Sequence, residues 1–438
     1  MTEKSNYKYY VLAMLLATYT ISFIDRQILA ILSEAIKADL QLSDTQVGLL
    51  TGFTFALFYT VFGIPVAWLA DRTHRVGVIA VSCTIWSLFT ALCGLAGNFW
   101  QLALARVGVG IGEAGGSPPS FSILSDYFEP RERTMAMAVF TLGSPIGLML
   151  GSALGGWVAS EWGWRAAFYV VGIPGLIIAP LLFFTVKEPL RGRLEAGAGA
   201  AKPPAMSFGA TLRLFVQKPS LFWLAVASGL SAFVGWGILN WTPAYLIRVH
   251  GVDVGTVAAW YSPIIGISMM IGIWGSGWVV GKLSARSPRA YALVPAAAFL
   301  IALPFFLGAL ATPSWPIALM LLAAPSALYM VYVAPALALL QNLVPASARS
   351  TASSILLLVL NLVGMGGGPL FVGMISDALA PSQGVESLRT GLLWLSPVFL
   401  MAVIAHYAVS RFVVRDLGAT TPSAEAARPP TDVLEQPV

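Results

Sequence analysis

Long apolar runs recur along almost the whole chain, separated by short segments that hold most of its charge. Runs of about twenty apolar residues are what a helix needs to cross a bilayer. Twelve such spans can be drawn, at 9–33, 46–70, 77–96, 100–127, 134–159, 165–186, 220–247, 254–281, 290–310, 316–344, 350–376 and 388–412. Span two opens on Ser43-Asp44-Thr45-Gln46, a capping box in which serine and glutamine satisfy each other's orphan backbone donors. The pattern predicts an all-α polytopic membrane protein and leaves no stretch for a separate soluble domain or catalytic module. Lys4 and Lys8 precede the first span, which is too long for a signal h-region and lacks a small-residue cleavage site, so it is expected to stay as an anchor.

The polar breaks orient the spans. With the N-terminus inside, the loop lysines and arginines fall on the cytoplasmic side except Lys37, Arg165, Arg248 and Arg389, the bias expected of a membrane protein. Both termini are therefore expected in the cytoplasm, at a bacterial inner (plasma) membrane. Residues 1–8 read as a cytoplasmic N-terminus, 9–186 as a first six-helix bundle, and 187–219, with Lys202-Pro203-Pro204, as a cytoplasmic linker. Residues 220–412 read as a second six-helix bundle and 413–438 as a disordered cytoplasmic tail. The halves echo each other. Ala67-Trp68-x-x-Asp71-Arg72 returns as Gly277-Trp278-x-x-Gly281-Lys282, and Arg133-x-x-Ala136 with Gly151 returns as Arg349-x-x-Ala352 with Gly367. A repeat in the same orientation is the mark of two bundles related by an axis along the membrane normal, with a substrate path between them.

Composition narrows the class further. The chain is 57% hydrophobic and 10% charged, so its net charge of +5 reports loop topology and not nucleic-acid binding. Cys83 and Cys93 lie ten residues apart on one span, roughly 15 Å along its axis, too far for a disulfide. His74, His250 and His406 are scattered and suggest no metal site. Gly108-x-Gly110-x-Gly112 lies inside a span and follows no strand, which favours helix packing over a dinucleotide loop. There is no phosphate-binding ATP loop, and nothing assembles a nucleophile with a base and an orienter, so neither a primary pump nor an enzyme is expected.

Charges within the spans carry the chemistry. Arg106 and Glu113 sit in Arg106-Val-Gly-Val-Gly-Ile-Gly-Glu113, two helical turns or about 10 Å apart on one face. Asp25 and Arg26 lie in span one. Charges at such depth are costly unless they face partners or a water-filled cavity, so their default reading is functional, against a buried pair that merely locks helices together. Helix lengths put Asp25 roughly 24 Å above Tyr9 and Arg106 roughly 10 Å below Phe99, so the two could pair, with Glu113 deeper and facing the cavity. Gly115-Gly116-Ser117-Pro118-Pro119 predicts a bend just beyond Glu113.

Ala67-Trp-Leu-Ala-Asp71-Arg72-Thr-His74-Arg75 resembles the loop motif between spans two and three of the major facilitator superfamily, with alanine and histidine where that motif prefers glycine. Arg106-Val-Gly-Val-Gly110 is similar to the span-four motif of its proton-coupled members. Phe23-Ile-Asp25-Arg26 together with Gly110-Ile-Gly112-Glu113-Ala114 looks like the Spinster-type branch. The resemblance implies a major facilitator fold of twelve helices and a rocker-switch transporter. Spinster-like members are associated with lysophospholipids and sphingoid phosphates. The resemblance places Asp25, Arg26, Arg106 and Glu113 in a head-group and proton site. It places Asp71, Arg72 and Arg75 in a cytoplasmic gate, where Arg72 or Arg75 could bridge to Asp126 or Glu129 and Arg133 belongs to the same face.

The expected function is proton-coupled secondary transport of amphiphilic lipids, with protons as coupling ion and no cofactor, by a monomer whose partners are its substrate and membrane lipids. Glu113 ranks first as proton carrier and Asp25 second; Arg106, Arg26 and Glu113 would hold the head group. A planar guanidinium suits a phosphate, and movement of Arg106 away from Glu113 would promote proton uptake. Trp236, Asn240, Trp241, Tyr245, Tyr329, Tyr332 and Asn361 are the polar and aromatic cavity candidates of the second half, against the ordinary reading of such aromatics as packing. Two alternatives stand beside this: a broad-specificity multidrug/proton antiporter, and a proton-independent uniporter or scramblase in which the four charges are structural.

Overall fold

The computed structural model describes residues 4–190 and 206–418, and these are helical nearly throughout. The first half comprises α1 (Lys4–Ile31), α2 (Ser33–Leu40), α3 (Asp44–Gly48), α4 (Thr54–Arg72), α5 (Arg75–Cys93), α6 (Phe99–Glu113), α7 (Ser117–Tyr127), α8 (Pro130–Thr141) and α9 (Gly143–Thr185). After α10 (Phe208–Gln217), the second half runs through α11 (Pro219–Arg248), α12 (Val254–Ser284), α13 (Ala290–Ala311), α14 (Trp315–Leu328), α15 (Val333–Leu343) and α16 (Arg349–Val359). It closes with α17 (Gly368–Gln383), α18 (Ser387–Leu393) and α19 (Ser396–Gly418).

Among the described residues nine segments are long and apolar enough to cross a membrane. Two of these, Met135–Thr185 and Thr351–Gly418, each hold two of the spans drawn from sequence. Span four is missing from the nine because it is broken into α6 and α7, at the bend the Gly-Gly-Ser-Pro-Pro run predicts. Within α9 the chain reverses at Gly163, whose φ of 80° is a left-handed value that a side chain would strain. The capping box forms as read, with Ser43 Oγ accepting from the Gln46 amide and the Ser43 amide donating to Gln46 Oε1. The expected linker holds one more element: α10 is an amphipathic helix with Phe208, Leu212 and Val216 exposed and Phe215 buried. Residues 191–205 and 419–438, which hold the rest of the linker and the tail, lie outside the described residues.

Small residues set the helix spacing. Gly143, Gly147, Gly151 and Gly155 recur every fourth residue and press α9 onto α1; a Cβ on Gly147 would sit 2.4 Å from the Thr20 carbonyl oxygen. This close packing fixes the rotation of α1 and hence where Asp25 and Arg26 point. Two π-helical stretches, Leu49–Phe53 and Leu360–Gly367, meet where the halves cross, and a Cβ on Gly52 would lie 2.7 Å from the Met365 carbonyl oxygen. Interhalf bonds cluster at one end of the bundle, around Asp44, where α3 packs on α17 and Gly156 of α9 touches Ala258 of α12. At the other end, that of Arg75, Ile64 and Trp68 of α4 and Trp274 and Trp278 of α12 are exposed. The halves are closed at the Asp44 end and parted at the Arg75 end.

Candidate functional site

Asp25 and Arg26 are neighbours on α1, so they point about 100° apart and enter different environments. Asp25 is fully buried and faces α5, where Thr90 Oγ1 donates to its Oδ2 at 3.0 Å. Its Oδ1 has no hydrogen-bond partner. Arg26 faces α4 and α6, and its Nε donates to Glu113 Oε2 at 2.6 Å. The Arg26 guanidinium carbon lies 4.6, 4.8 and 4.9 Å from the ring centres of Phe23, Phe55 and Tyr59. An aromatic box of this kind holds a guanidinium by cation–π attraction while keeping it out of bulk water.

Glu113 is the last residue of α6, where a carboxylate meets the negative end of the helix dipole, so its charge depends on Arg26 for compensation. Its Oε1 has no hydrogen-bond partner. Beside it is a void with room for about one water molecule, lined by Thr18, Tyr19, Ser22, Trp86, Glu113 and Ser117. Gly112 makes this position possible, since a Cβ there would be 2.6 Å from the Trp86 amide nitrogen.

Arg106 is placed differently from the sequence expectation. Its Nε points at the Leu50 carbonyl and its Nη1 at the Asp25 carbonyl, each at 3.4 Å. It holds neither Glu113 nor the Asp25 carboxylate. With 1% exposure it braces backbone between α1 and the π-helical stretch, whereas the Arg26 side chain keeps 10% exposure. Glu113 therefore pairs with Arg26, and the anticipated Arg106–Glu113 and Arg106–Asp25 pairs are absent.

Of the second-half candidates, Trp236 is half-buried and packs into the cluster containing Phe55, Trp86 and Met365, on the Arg26 side of the interface. Asn240 back-bonds to the Trp236 carbonyl at 2.9 Å, and Asn361 is half-buried in the π-helical stretch. Trp241, Tyr245, Tyr329 and Tyr332 are core residues in this conformation. Trp241 Nε1 donates to the Pro369 carbonyl at 2.8 Å and Tyr245 OH to the Ala309 carbonyl at 3.1 Å, while Tyr329 OH points at Met269 Sδ. The polar atoms of Trp241, Tyr245 and Tyr329 find partners inside their own half, so these rings turn there.

The expected gate also resolves into contacts within one half. Arg75, 2% exposed, donates from Nη1 to Asp126 and from Nε to Glu188, both at 2.6 Å, and from Nη2 to the Pro189 carbonyl. It ties α5 to α7 and to the segment that follows α9. Arg72 stacks on Trp68 of its own helix at 4.1 Å, and Arg133 Nε donates to the Phe128 carbonyl. The side chain of Asp71 lies outside the described residues.

Sequence reading missed the cluster that does join the halves. Arg248 of α11 donates Nη1 to Asp44 Oδ2 at 2.6 Å, and Nε and Nη2 to Glu34 at 3.1 and 2.5 Å. Lys37 also bonds Asp44. From α17, Ser376 donates to Asp44, and Asp377 accepts the backbone amides of Asp44 and Thr45 at 2.8 and 2.7 Å, a carboxylate on a helix N-terminus. A signal was available: Arg248 is one of the four loop cations on the wrong side of the charge bias.

Two pseudo-equivalent bundles, joined at one end and parted at the other around buried, balanced charges, define a membrane transporter. Residues 15–369 match the Major Facilitator Superfamily. An MFS-type efflux pump of Mycolicibacterium smegmatis is 33% identical over 399 residues, covering 91% of each chain. Protein spinster homolog 1 of Mus musculus is 30% identical over 382 residues, covering 83% of this chain and 72% of its own. A crystal structure of a bacterial homologue to the human lysosomal transporter Spinster, inward-facing and unoccupied, superposes with a TM-score of 0.83 at 31% identity, covering 94% of this chain and 98% of that one. The chain belongs to the Major Facilitator Superfamily, and within it is a Spinster-like integral membrane transporter.

Proposed function

We propose that this transporter moves amphiphilic lipids with a phosphate head, coupled to protons, by alternating access between the two halves. The Arg26–Glu113 pair carries the reading: a buried ion pair at 2.6 Å, with a second carboxylate oxygen unpartnered beside a small polar void. Asp25, Arg26, Arg106 and Glu113 sum to zero when ionised. A proton arriving through the void onto Glu113 Oε1 removes the charge that holds Arg26, and leaves the site one unit positive. The freed guanidinium then suits a phosphate, which it binds bidentately. In this reading Arg26, rather than Arg106, is the head-group ligand, because Arg106 is committed to the Leu50 and Asp25 carbonyls. Asp25 is the second proton carrier, and the exposed apolar surface of the parted end receives the tail. Supporting the lipid class is the similarity to the spinster homologues. The parted Arg75 end corresponds to the cytoplasmic side of a bacterial inner membrane, giving an inward-facing state.

Similarity to the efflux pump favours a second reading, drug/proton antiport using the same pair. Proteoliposomes with an imposed pH gradient separate the two. Lysophospholipid or sphingoid-phosphate flux that follows the gradient, and is lost in both Glu113→Gln and Arg26→Ala, is the expected result. Full gradient-driven flux in Glu113→Gln overturns the proton assignment. Flux of hydrophobic cations alone overturns the lipid, and lipid flux that ignores the gradient points to a uniporter or scramblase.

A further inference from the structure

A cavity of about 770 Å³ lies between α12, α13 and α14, away from the charged site. All of its lining belongs to the second half, so it is no part of the path between the halves. Its shape has a local cause. A Cβ on Gly272 would lie 1.8 Å from the Ala327 carbonyl oxygen, whereas one on Gly275 would meet nothing within 4 Å. So α12 and α14 touch at Gly272 and diverge beyond it. The walls of the resulting groove are aliphatic, including Val279 of α12, Ala297 and Ile301 of α13, and Val331. Ile271, Leu283, Leu293 and Ile301 on its rim are exposed, so the groove opens sideways toward the surrounding bilayer.

Charge marks one end of it. Arg286 and Arg289, in the short loop joining α12 to α13, are exposed lining residues with no acidic partner among the described residues. No acidic side chain lines the groove. From Arg286 to Ile271 the groove follows α12 for about 22 Å, which exceeds half of a roughly 30 Å hydrocarbon core and so spans one leaflet. An aliphatic slot one leaflet deep with two unspent guanidiniums at its mouth matches one occupant, a phospholipid carrying net negative charge.

We propose that this groove holds a resident anionic phospholipid of the bilayer, with one acyl chain between α12 and α13 and its phosphate on Arg286 and Arg289. The lipid is distinct from transported substrate and braces α12, the helix whose other face packs on α9 through Ala258 against Gly156 and Gly266 against Met149.

Native mass spectrometry of the full chain titrated with phosphatidylglycerol or with phosphatidylcholine of the same acyl chains tests this. The expected result is a one-to-one adduct retained with phosphatidylglycerol. Arg286→Gln with Arg289→Gln weakens it about thirtyfold, from about a fivefold contribution per cation, and leaves phosphatidylcholine binding unchanged. Gly275→Leu fills the slot without meeting backbone and weakens both lipids. Two results overturn the proposal: an undiminished phosphatidylglycerol adduct in Gly275→Leu, or an equal loss in Arg411→Gln, a cation of α19 off the groove wall. The latter would mean a diffuse basic face.

Discussion

Replacing Arg248 with methionine keeps the apolar stem and removes the guanidinium that spans the halves. The side chains involved are 11% exposed for Arg248, 2% for Asp44 and 19% for Glu34. Breaking a fully buried pair costs about 3–5 kcal/mol and a fully exposed one no more than about 1 kcal/mol. This cluster is nearer the buried limit, but Lys37 stays on Asp44 and the Asp377 cap is untouched, so about 2 kcal/mol is expected. Because the contact joins the halves only when the Asp44 end is closed, the whole loss appears as a shift of about thirtyfold toward the form open at that end. Spin labels on cysteines at Ala38 and Ser382, exposed positions of opposite halves near this end, report the shift as a longer interlabel distance. Native Cys83 and Cys93 are buried and give little background. An unchanged distance distribution in Arg248→Met would show that packing of α3 on α17 holds the closure and that the ion cluster is incidental.

Other consequences follow from single contacts. Thr90→Val leaves the buried Asp25 carboxylate without its hydroxyl donor and should lower stability by about 1–3 kcal/mol, while adding Asp25→Asn should cost less than the sum of the two; thermal unfolding in detergent measures both. Gly147→Leu forces α1 from α9 and should abolish a monodisperse gel-filtration peak, whereas Gly209→Ala, with nothing within 4 Å of the added Cβ, should raise stability by up to about 1 kcal/mol. Asp253 caps α12 by accepting from the Thr256 amide at 2.8 Å, and this bonding to Thr256 holds its carboxyl below its usual value. The ionised cap therefore stabilises the fold above pH of about 4 and loses that contribution as pH falls through the folded-state value. Asp253→Ala should cost about 1 kcal/mol at neutral pH, and the difference from wild type should shrink on acidification.

The spans and the four membrane charges were legible because both rest on transfer cost, which belongs to each residue alone. Pairing was not, because it depends on helix rotation. Asp25 and Arg26 have nearly the same height on α1, and height alone could match either with Arg106; the Gly143-to-Gly155 stripe of α9 sets the rotation that sends Arg26 to Glu113 and Asp25 to Thr90. The π-helical stretch at Leu49–Phe53 adds a further change of register between the capping box and α4 that no hydropathy pattern reports, and Arg106 points at a carbonyl within it.

The four loop cations that break the charge bias show what else the sequence held. Lys37 bonds Asp44, Arg165 bonds Asp39 at 2.6 Å, Arg248 bonds Asp44 and Glu34, and Arg389 bonds Glu386 at 2.7 Å. Each exception has a carboxylate at hand, as expected if a cation is kept on the disfavoured side for its partner and not for orientation. Two of the four converge on Asp44, the first residue of α3, and Arg248 reaches it from the opposite half. Arg26 and Glu34 are both carried on the α1–α2 run, eight residues or about 12 Å apart. Any movement that separates Arg248 from Glu34 therefore acts on the run that positions Arg26 against Glu113.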